Sequence, residues 1–236
     1  MKFQDARILI GVLDYPFIES ECVMSILGMW EYSKWKCPGE HYPRNDVELF
    51  LSNGTSPARA HNTAISVFLN HSNRYMYLLI VGHDHIFHPD ALRVLFEADK
   101  DIVAGISTIR LKSFEDIKTP VFSIVSDWKD GRVVTLTKQD CMKKIENEKG
   151  QPFKVPGIGD GLMLVKRKVF ERMEPPWFQE PPLPEEEMVA GRFRGLLGCD
   201  IAFCRQAREL GFELWAHPGV PYIHIGRSYT SVNYPI

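Results

Sequence analysis

The sequence predicts a single-domain α/β protein in which a mixed, mostly parallel sheet is flanked by helices. Three observations carry that prediction. Short apolar runs of strand length alternate with stretches of helical period through the first hundred residues. The runs are continuously apolar rather than alternating, as expected of strands buried on both faces. No internal repeat and no linker of shifted composition divides the 236 residues.

Residues 6–13 (ARILIGVL) form the first such run and predict a strand. Cys22, Val23, Ile26, Leu27 and Trp30 then recur at spacings that predict a helix over 19–34. VELFLS (47–52) reads as a second strand. Ala64, Ile65, Phe68 and Leu69 predict a helix over 57–70, with Ser56 as its N-cap and Pro57 in its first turn. YMYLLIV (75–81) is the third strand; a helix over 89–98 and the strand DIVAGI (101–106) follow. Alternation at this spacing implies right-handed crossovers and a Rossmann-like sheet. Ligands of such sheets gather beyond the carboxyl ends of the strands. The rim predicted in this way carries Leu13, Asp14 and Tyr15, then residues 53–55, then residues 83–88.

The second half reads differently. Residues 120–127 and 131–138 alternate around Trp128-Lys129-Asp130-Gly131, a hairpin signal. Residues 139–151 are polar and charged and read as an exposed excursion. Residues 161–170 read as a strand running into a helix. Five prolines and three consecutive glutamates mark 175–195 as a loop. A helix over 200–210 precedes the strand FELWAHP (212–218).

Composition excludes several classes of function. With 28 Lys+Arg against 30 Asp+Glu there is no basic excess for nucleic-acid binding. No apolar run approaches the roughly 20 residues of a membrane span, so no transmembrane segment is expected. The N-terminal stretch places an acid before its short apolar run and has no small-residue cleavage site, so no signal peptide is expected. Five cysteines without a CxxC pair read as reduced thiols and point to a cytoplasmic protein.

The segment LLIVGHDHIFHPDAL (78–92) is the most distinctive. An apolar strand ends in His83-Asp84-His85, with His88 close behind. A carboxylate at the tip of a buried strand is placed to hold Mg²⁺ or Mn²⁺, which take one or two carboxylates and complete their shell with water and substrate phosphate. The bland alternative makes Asp84 a turn cap and the histidines exposed loop residues. His224, after the last strand, is a second candidate ligand, since imidazole suits Mn²⁺; the alternative is a half-buried histidine bonded to backbone. Asp200 begins the last helix, where the dipole favours an ionised carboxylate able to accept a proton; as an N-cap it would do nothing more. Trp177 and Phe178 offer flat faces on which a sugar can stack, or are simply packing. Cys199 and Cys204 read as core thiols.

These segments resemble the nucleotide-sugar-dependent glycosyltransferases of the GT-A fold, in particular the small family 2-like members of viruses and bacteria. The resemblance rests on a strand ending in a DxD-like motif, with Gly82 at the first acidic position and Asp84 at the second, followed by an aromatic, a proline and a helix. ILIGVLDYPF (8–17) looks like the family's first strand. SPARAHNTAISVFL (56–69) is similar to its Arg-Asn helix start: Asn62 matches, His61 stands at the arginine position, and Arg59 lies two residues earlier. KDIVAGIST (100–108), PGIGDGLMLVKRKVFERM (156–173) and CDIAFCRQARELGFELWAHPGVPYIHIG (199–226) follow in the family's order, with Cys199 where an acid is usual. The matches cover 8–17, 47–108 and 156–226.

The resemblance implies that residues 1–108 bind the nucleotide sugar and residues 109–236 the acceptor. It places a divalent cation, Mn²⁺ or Mg²⁺, on Asp84 and His224. Leu13, Asp14, Tyr15, Arg59, Asn62, His83 and Arg227 would contact the donor, a nucleoside diphosphate sugar. Asp160, Gly161, Trp177 and Cys199 would face the acceptor, a glycan or another hydroxyl compound. Asp200 would be the base of an inverting transfer, and residues 175–199 a lid. Two other classes stay open: a metal-dependent phosphohydrolase using the same His/Asp ligands, and a sugar-nucleotide-binding domain without activity. The enzyme reading requires Asp84 and Asp200 to converge in one cleft.

Overall fold

A computed structural model of the chain describes residues 1–14, 18–35, 46–71, 74–107, 121–129, 132–181 and 198–225. Its central strands are apolar along their middles because each feeds two cores. In β1 (Arg7–Asp14), Ile8, Ile10 and Val12 face one apolar layer while Leu9 and Leu13 face the other. In β3 (Tyr77–Val81), Leu78 and Ile80 join the second layer, and Tyr77, Leu79 and Val81 the first. The period-2 geometry of a strand requires this partition once helices cover both faces.

The remaining elements, in chain order, are α1 (Ser20–Trp35), β2 (Asp46–Asn53), α2 (Pro57–Asn70), β4 (His85–Phe87), α3 (Ala91–Glu97), β5 (Ile102–Ser107), β6 (Val121–Lys129), β7 (Arg132–Thr137), α4 (Lys138–Asn147), β8 (Phe153–Val155), β9 (Gly157–Ile158), β10 (Leu162–Lys166), α5 (Arg167–Arg172), α6 (Cys199–Glu209) and β11 (Leu214–His224). The main sheet has the order β2-β1-β3-β10-β5-β11-β4, with β8 paired to β11. β1 is parallel to β2 and β3, and β5 to β11; β10 runs antiparallel between β3 and β5. A small second sheet orders β7-β6-β9.

Most predicted elements stand close to their expected bounds. Ser56 caps α2, its hydroxyl accepting from the Arg59 N–H at 3.3 Å, and Pro57 opens the helix. The hairpin appears as β6 and β7, with Trp128 opposite Val133; Asp130 and Gly131 lie outside the described residues. Three expectations are corrected. Residues 138–147 are a helix rather than an irregular excursion: Thr137 caps it by accepting from the Asp140 N–H at 3.2 Å, and Cys141 anchors it in the core. Residues 85–87, expected as loop, form β4. The last strand does not stop at 218 but continues to His224, because its end pairs antiparallel with β4.

These pairings position the functional rim. Asp14 at the end of β1 lies opposite Asn53 of β2, and Val12 opposite Val81, so the carboxyl ends of three parallel strands share one edge. β10 arrives at that edge with its amino end, where the Gly82 N–H donates to the Gly161 carbonyl at 2.9 Å. Among the described residues, no helix is long and apolar enough to cross a membrane.

Candidate active site

Asp84 sits three residues beyond Val81, the last residue of β3, and is 3% exposed. It does not merely cap a turn, since three imidazoles surround its carboxylate. His224 Nε2 donates to Asp84 Oδ2 at 3.0 Å, His85 Nδ1 lies 3.3 Å from Oδ1, and His83 Nε2 lies 3.8 Å from Oδ2. The ladder explains the meeting: His85 of β4 is the direct cross-strand partner of His224 of β11, and the Ile225 N–H donates to the Asp84 carbonyl at 2.7 Å. Burial alone would push the Asp84 carboxyl up; the hydrogen bond from His224 and the charges of the histidines outweigh it and hold the group well below the usual carboxylate range.

His85 was not singled out by the sequence, yet the structure builds a slot for it. Its ring lies 4.5 Å from that of His224 and edge-on to Tyr222 at 5.0 Å. A Cβ at Gly82 would lie 2.5 Å from its Cε1 and Nδ1, and a Cβ at Gly161 would lie 2.5 Å from its Nε2. Only glycine on both sides admits the imidazole. Burial, and then the neighbouring His224, push His85 down to about 4, so its ring is neutral near pH 7. Its Nδ1 is buried without an aligned hydrogen bond. Donor atoms of Asp84, His85 and His224 lie within 4.8 Å of one another, a set able to hold a divalent cation. A signal for His85 was present in the sequence: it is the residue that pairing with YIHIG would set opposite His224.

A second cluster adjoins the first across the Gly82–Gly161 contact. His61, 2% exposed on α2, brings its Nε2 against Asp160 Oδ2, while its Nδ1 stands 2.6 Å from the Pro57 carbonyl. Burial disfavours the His61 cation, but Asp160 outweighs it and raises the group; reciprocally, His61 overcomes the burial of Asp160 and holds that carboxyl low. Cys199 is buried beside them, within 4.8 Å of both His61 and Asp160 by its sulfur. Burial and the nearby acids push its thiol far up, so it stays protonated.

Asp200 occupies the first turn of α6, behind Gly198, which is the actual N-cap. Its Oδ1 accepts from the Ile201 N–H at 2.8 Å. The expectation that the helix dipole keeps this carboxylate ionised is corrected: burial first, and the charge of Asp160 second, push it up to about 7. Gly161, next to Asp160, packs against the His85 ring, and Cys199, next to Asp200, lies with Asp160 and His61, so the two clusters adjoin.

The other predicted residues are placed unevenly. Leu13 is buried at the end of β1, Arg59 is exposed in the first turn of α2, and His83 is half-buried with its carbonyl accepting from Glu19 N–H at 2.9 Å. Tyr15, Arg227 and most of the expected lid, residues 182–197, lie outside the described residues. Asn62 has a structural employment instead of an open one. Its Nδ2 donates to the Ala58 and Phe178 carbonyls, each at 2.8 Å, and its Oδ1 accepts from the Phe178 N–H at 3.1 Å. Phe178 is 1% exposed and cannot stack on a sugar; it lies between His61, at 4.0 Å, and Phe203, at 4.6 Å. Trp177 donates its indole N–H to the Phe170 carbonyl at 3.0 Å and borders a surface recess with Gln179, Pro181 and Arg205.

No protein-family model matches the chain, and no curated protein matches it. Solved structures do resemble it. The crystal structure of A197 from STIV superimposes with a TM-score of 0.56 at 15% identity, covering 94% of this chain and 87% of that one. The crystal structure of GalNAc-T7 with UDP, GalNAc and Mn²⁺ superimposes with a TM-score of 0.54 at 12% identity, covering 95% of this chain and 44% of that one. The chain thus spans less than half the length of the GalNAc-T7 chain. At such identities the likeness is one of fold, and that fold is the GT-A, Rossmann-like α/β architecture.

Proposed function

We propose that the protein is a divalent-cation-dependent glycosyltransferase that moves a sugar from a nucleoside diphosphate sugar to an acceptor hydroxyl. One observation carries the reading: at the carboxyl rim of the parallel strands the Asp84–His85–His224 cluster adjoins, across the Gly82–Gly161 contact, a cluster of His61, Asp160 and Cys199, the last of which precedes Asp200. The first is a candidate cation site and Asp200 a candidate base, and the fold is one that in GalNAc-T7 was crystallised with UDP, GalNAc and Mn²⁺. In this reading residues 1–108 face the donor and residues 109–236 the acceptor.

Asp84, His85 and His224 would hold the cation. One carboxylate and two imidazoles suit Mn²⁺ better than Mg²⁺, which prefers oxygen ligands throughout. When bound, the cation supplies Lewis-acid neutralisation of the charge that develops on the leaving diphosphate. Leu13, Arg59 and His83 line the donor side. Asp200 takes the proton of the acceptor hydroxyl as its oxygen bonds to the anomeric carbon. The bond from that carbon to the phosphate oxygen breaks, its electron pair leaves with the nucleoside diphosphate, and configuration inverts. A base titrating at about 7 is well matched to this work, because a substantial share is ionised at neutral pH while the group still binds a proton strongly.

A panel of nucleoside diphosphate sugars, assayed for sugar release with Mn²⁺, tests the reading. Mn²⁺-dependent release that falls roughly 10²–10⁴-fold in Asp200→Asn supports it. The wild-type rate should climb as pH rises through about 7, where Asp200 loses its proton. Cleavage of simple phosphate esters without a sugar nucleotide would favour a phosphohydrolase, and donor binding without turnover a binding domain.

A further inference from the structure

His61 is held more tightly than packing requires. Its ring stacks on Phe178 at an interplanar angle of 17°, Phe178 stacks on Phe203 at 5°, and Asn62 pins the Phe178 backbone through both its N–H and its carbonyl. The ring is therefore unable to turn. In this fixed orientation Nδ1 bonds the Pro57 carbonyl, and Nε2 lies against the Asp160 carboxylate without an aligned hydrogen bond. A neutral imidazole has one N–H and would set a lone pair against the other oxygen; a second proton removes the conflict. The groups facing one another are few. His61 faces Asp160, Asp200 and Cys199; Asp160 faces His61, His85, Asp200 and the thiols of Cys199 and Cys204; Asp200 faces Asp160, His61 and the same two thiols.

We propose that His61 and Asp160 are a positioning pair for the base: the buried imidazolium keeps Asp160 ionised, and the fixed negative charge beside Asp200 strengthens its hold on the acceptor's proton. Neither residue needs to touch the reacting atoms. The inference rests on the reading of Asp200 as base, and the directions of the three groups agree with it, His61 raised, Asp160 lowered and Asp200 raised.

Two measurements test the pair. ¹⁵N NMR of the histidines in the wild-type protein should show His61 doubly protonated at pH 7, where an unperturbed histidine is mostly neutral. A neutral His61 at pH 7 overturns the proposal, as does a stoichiometric thiophilic metal that is lost in Cys199→Ser, since a metal would then occupy the place of the proton. In kinetics, Asp160→Asn should move the acidic limb of the kcat/KM profile down by roughly one pH unit or more, because a like charge beside Asp200 has been removed. An unmoved limb in a folded variant overturns the proposal. If that variant fails to fold, the wild-type NMR result decides alone. An active Asp200→Asn would sink the base itself while leaving the His61 spectrum unchanged, so the two readings fail separately.

Discussion

Gly82 stands where the resemblance has its first acid, and the reason is steric. Its backbone N–H bonds Gly161 while the His85 ring occupies the space that a Cβ would need. Restoring the acid should therefore harm the site. Gly82→Asp is expected to weaken Mn²⁺ binding at least about tenfold, a cost typical of disturbing the groups that orient a ligand, as read by calorimetric titration. At Asp200 function and stability oppose one another. In the folded chain its carboxyl titrates at about 7, well above its value in an unfolded chain, so the unfolded state ionises first as pH rises. Stability from this group is full below the unfolded value and is lost progressively up to about pH 7. Asp200→Asn removes that penalty. Its melting temperature should exceed the wild type's at pH 8 by several degrees, at about 2–4 °C per kcal/mol for this chain length, and the gap should shrink at pH 4.5.

Among the elements, α2 does the most to organise the site, because both of its ends are tied down. At its amino end Ser56 caps it and His61 and Asn62 point toward residues 160 and 178. At its carboxyl end Arg167 donates to the carbonyls of Phe68, at 3.0 Å, and Leu69, at 2.7 Å, satisfying groups that a helix leaves unpaired. Asn62→Ala removes the clamp on Phe178 and should cost about 1–3 kcal/mol in urea unfolding, with faster hydrogen exchange at the Phe178 amide. Periodicity located α2 and α6 because each buries a regular apolar stripe, and α1 through Cys22 and Ile26, although Val23 and Leu27 of the same pattern are exposed. It did not locate α4, whose ten residues bury Cys141 as their firm anchor among lysines and acids. There the cap at Thr137 was the only strong local signal, and charge concealed the rest.

Across the whole molecule the two halves are one sheet. β10, from the second half, lies between β3 and β5 of the first, pairing Leu164 with Leu79 on one side and Val103 on the other. Residues 1–108 expressed alone should therefore lack a cooperative unfolding transition by circular dichroism, since β3 and β5 have no strand between them and Leu78, Ile80 and Ile102 lose their cover. A stable fragment would contradict this account of the sheet. The same insertion brings Gly161 to Gly82 and Asp160 to His61. By itself the sequence determined the alternation of strands and helices, the rim on which Asp84 stands and the helix that Asp200 opens, because these follow from hydrophobic period and local capping. Only the tertiary structure decided that His85 faces His224, that Asn62 serves Phe178 and that Asp160 meets His61 and Cys199. Those meetings depend on strand order and register, which arise from the packing of distant segments and leave no mark on any one of them.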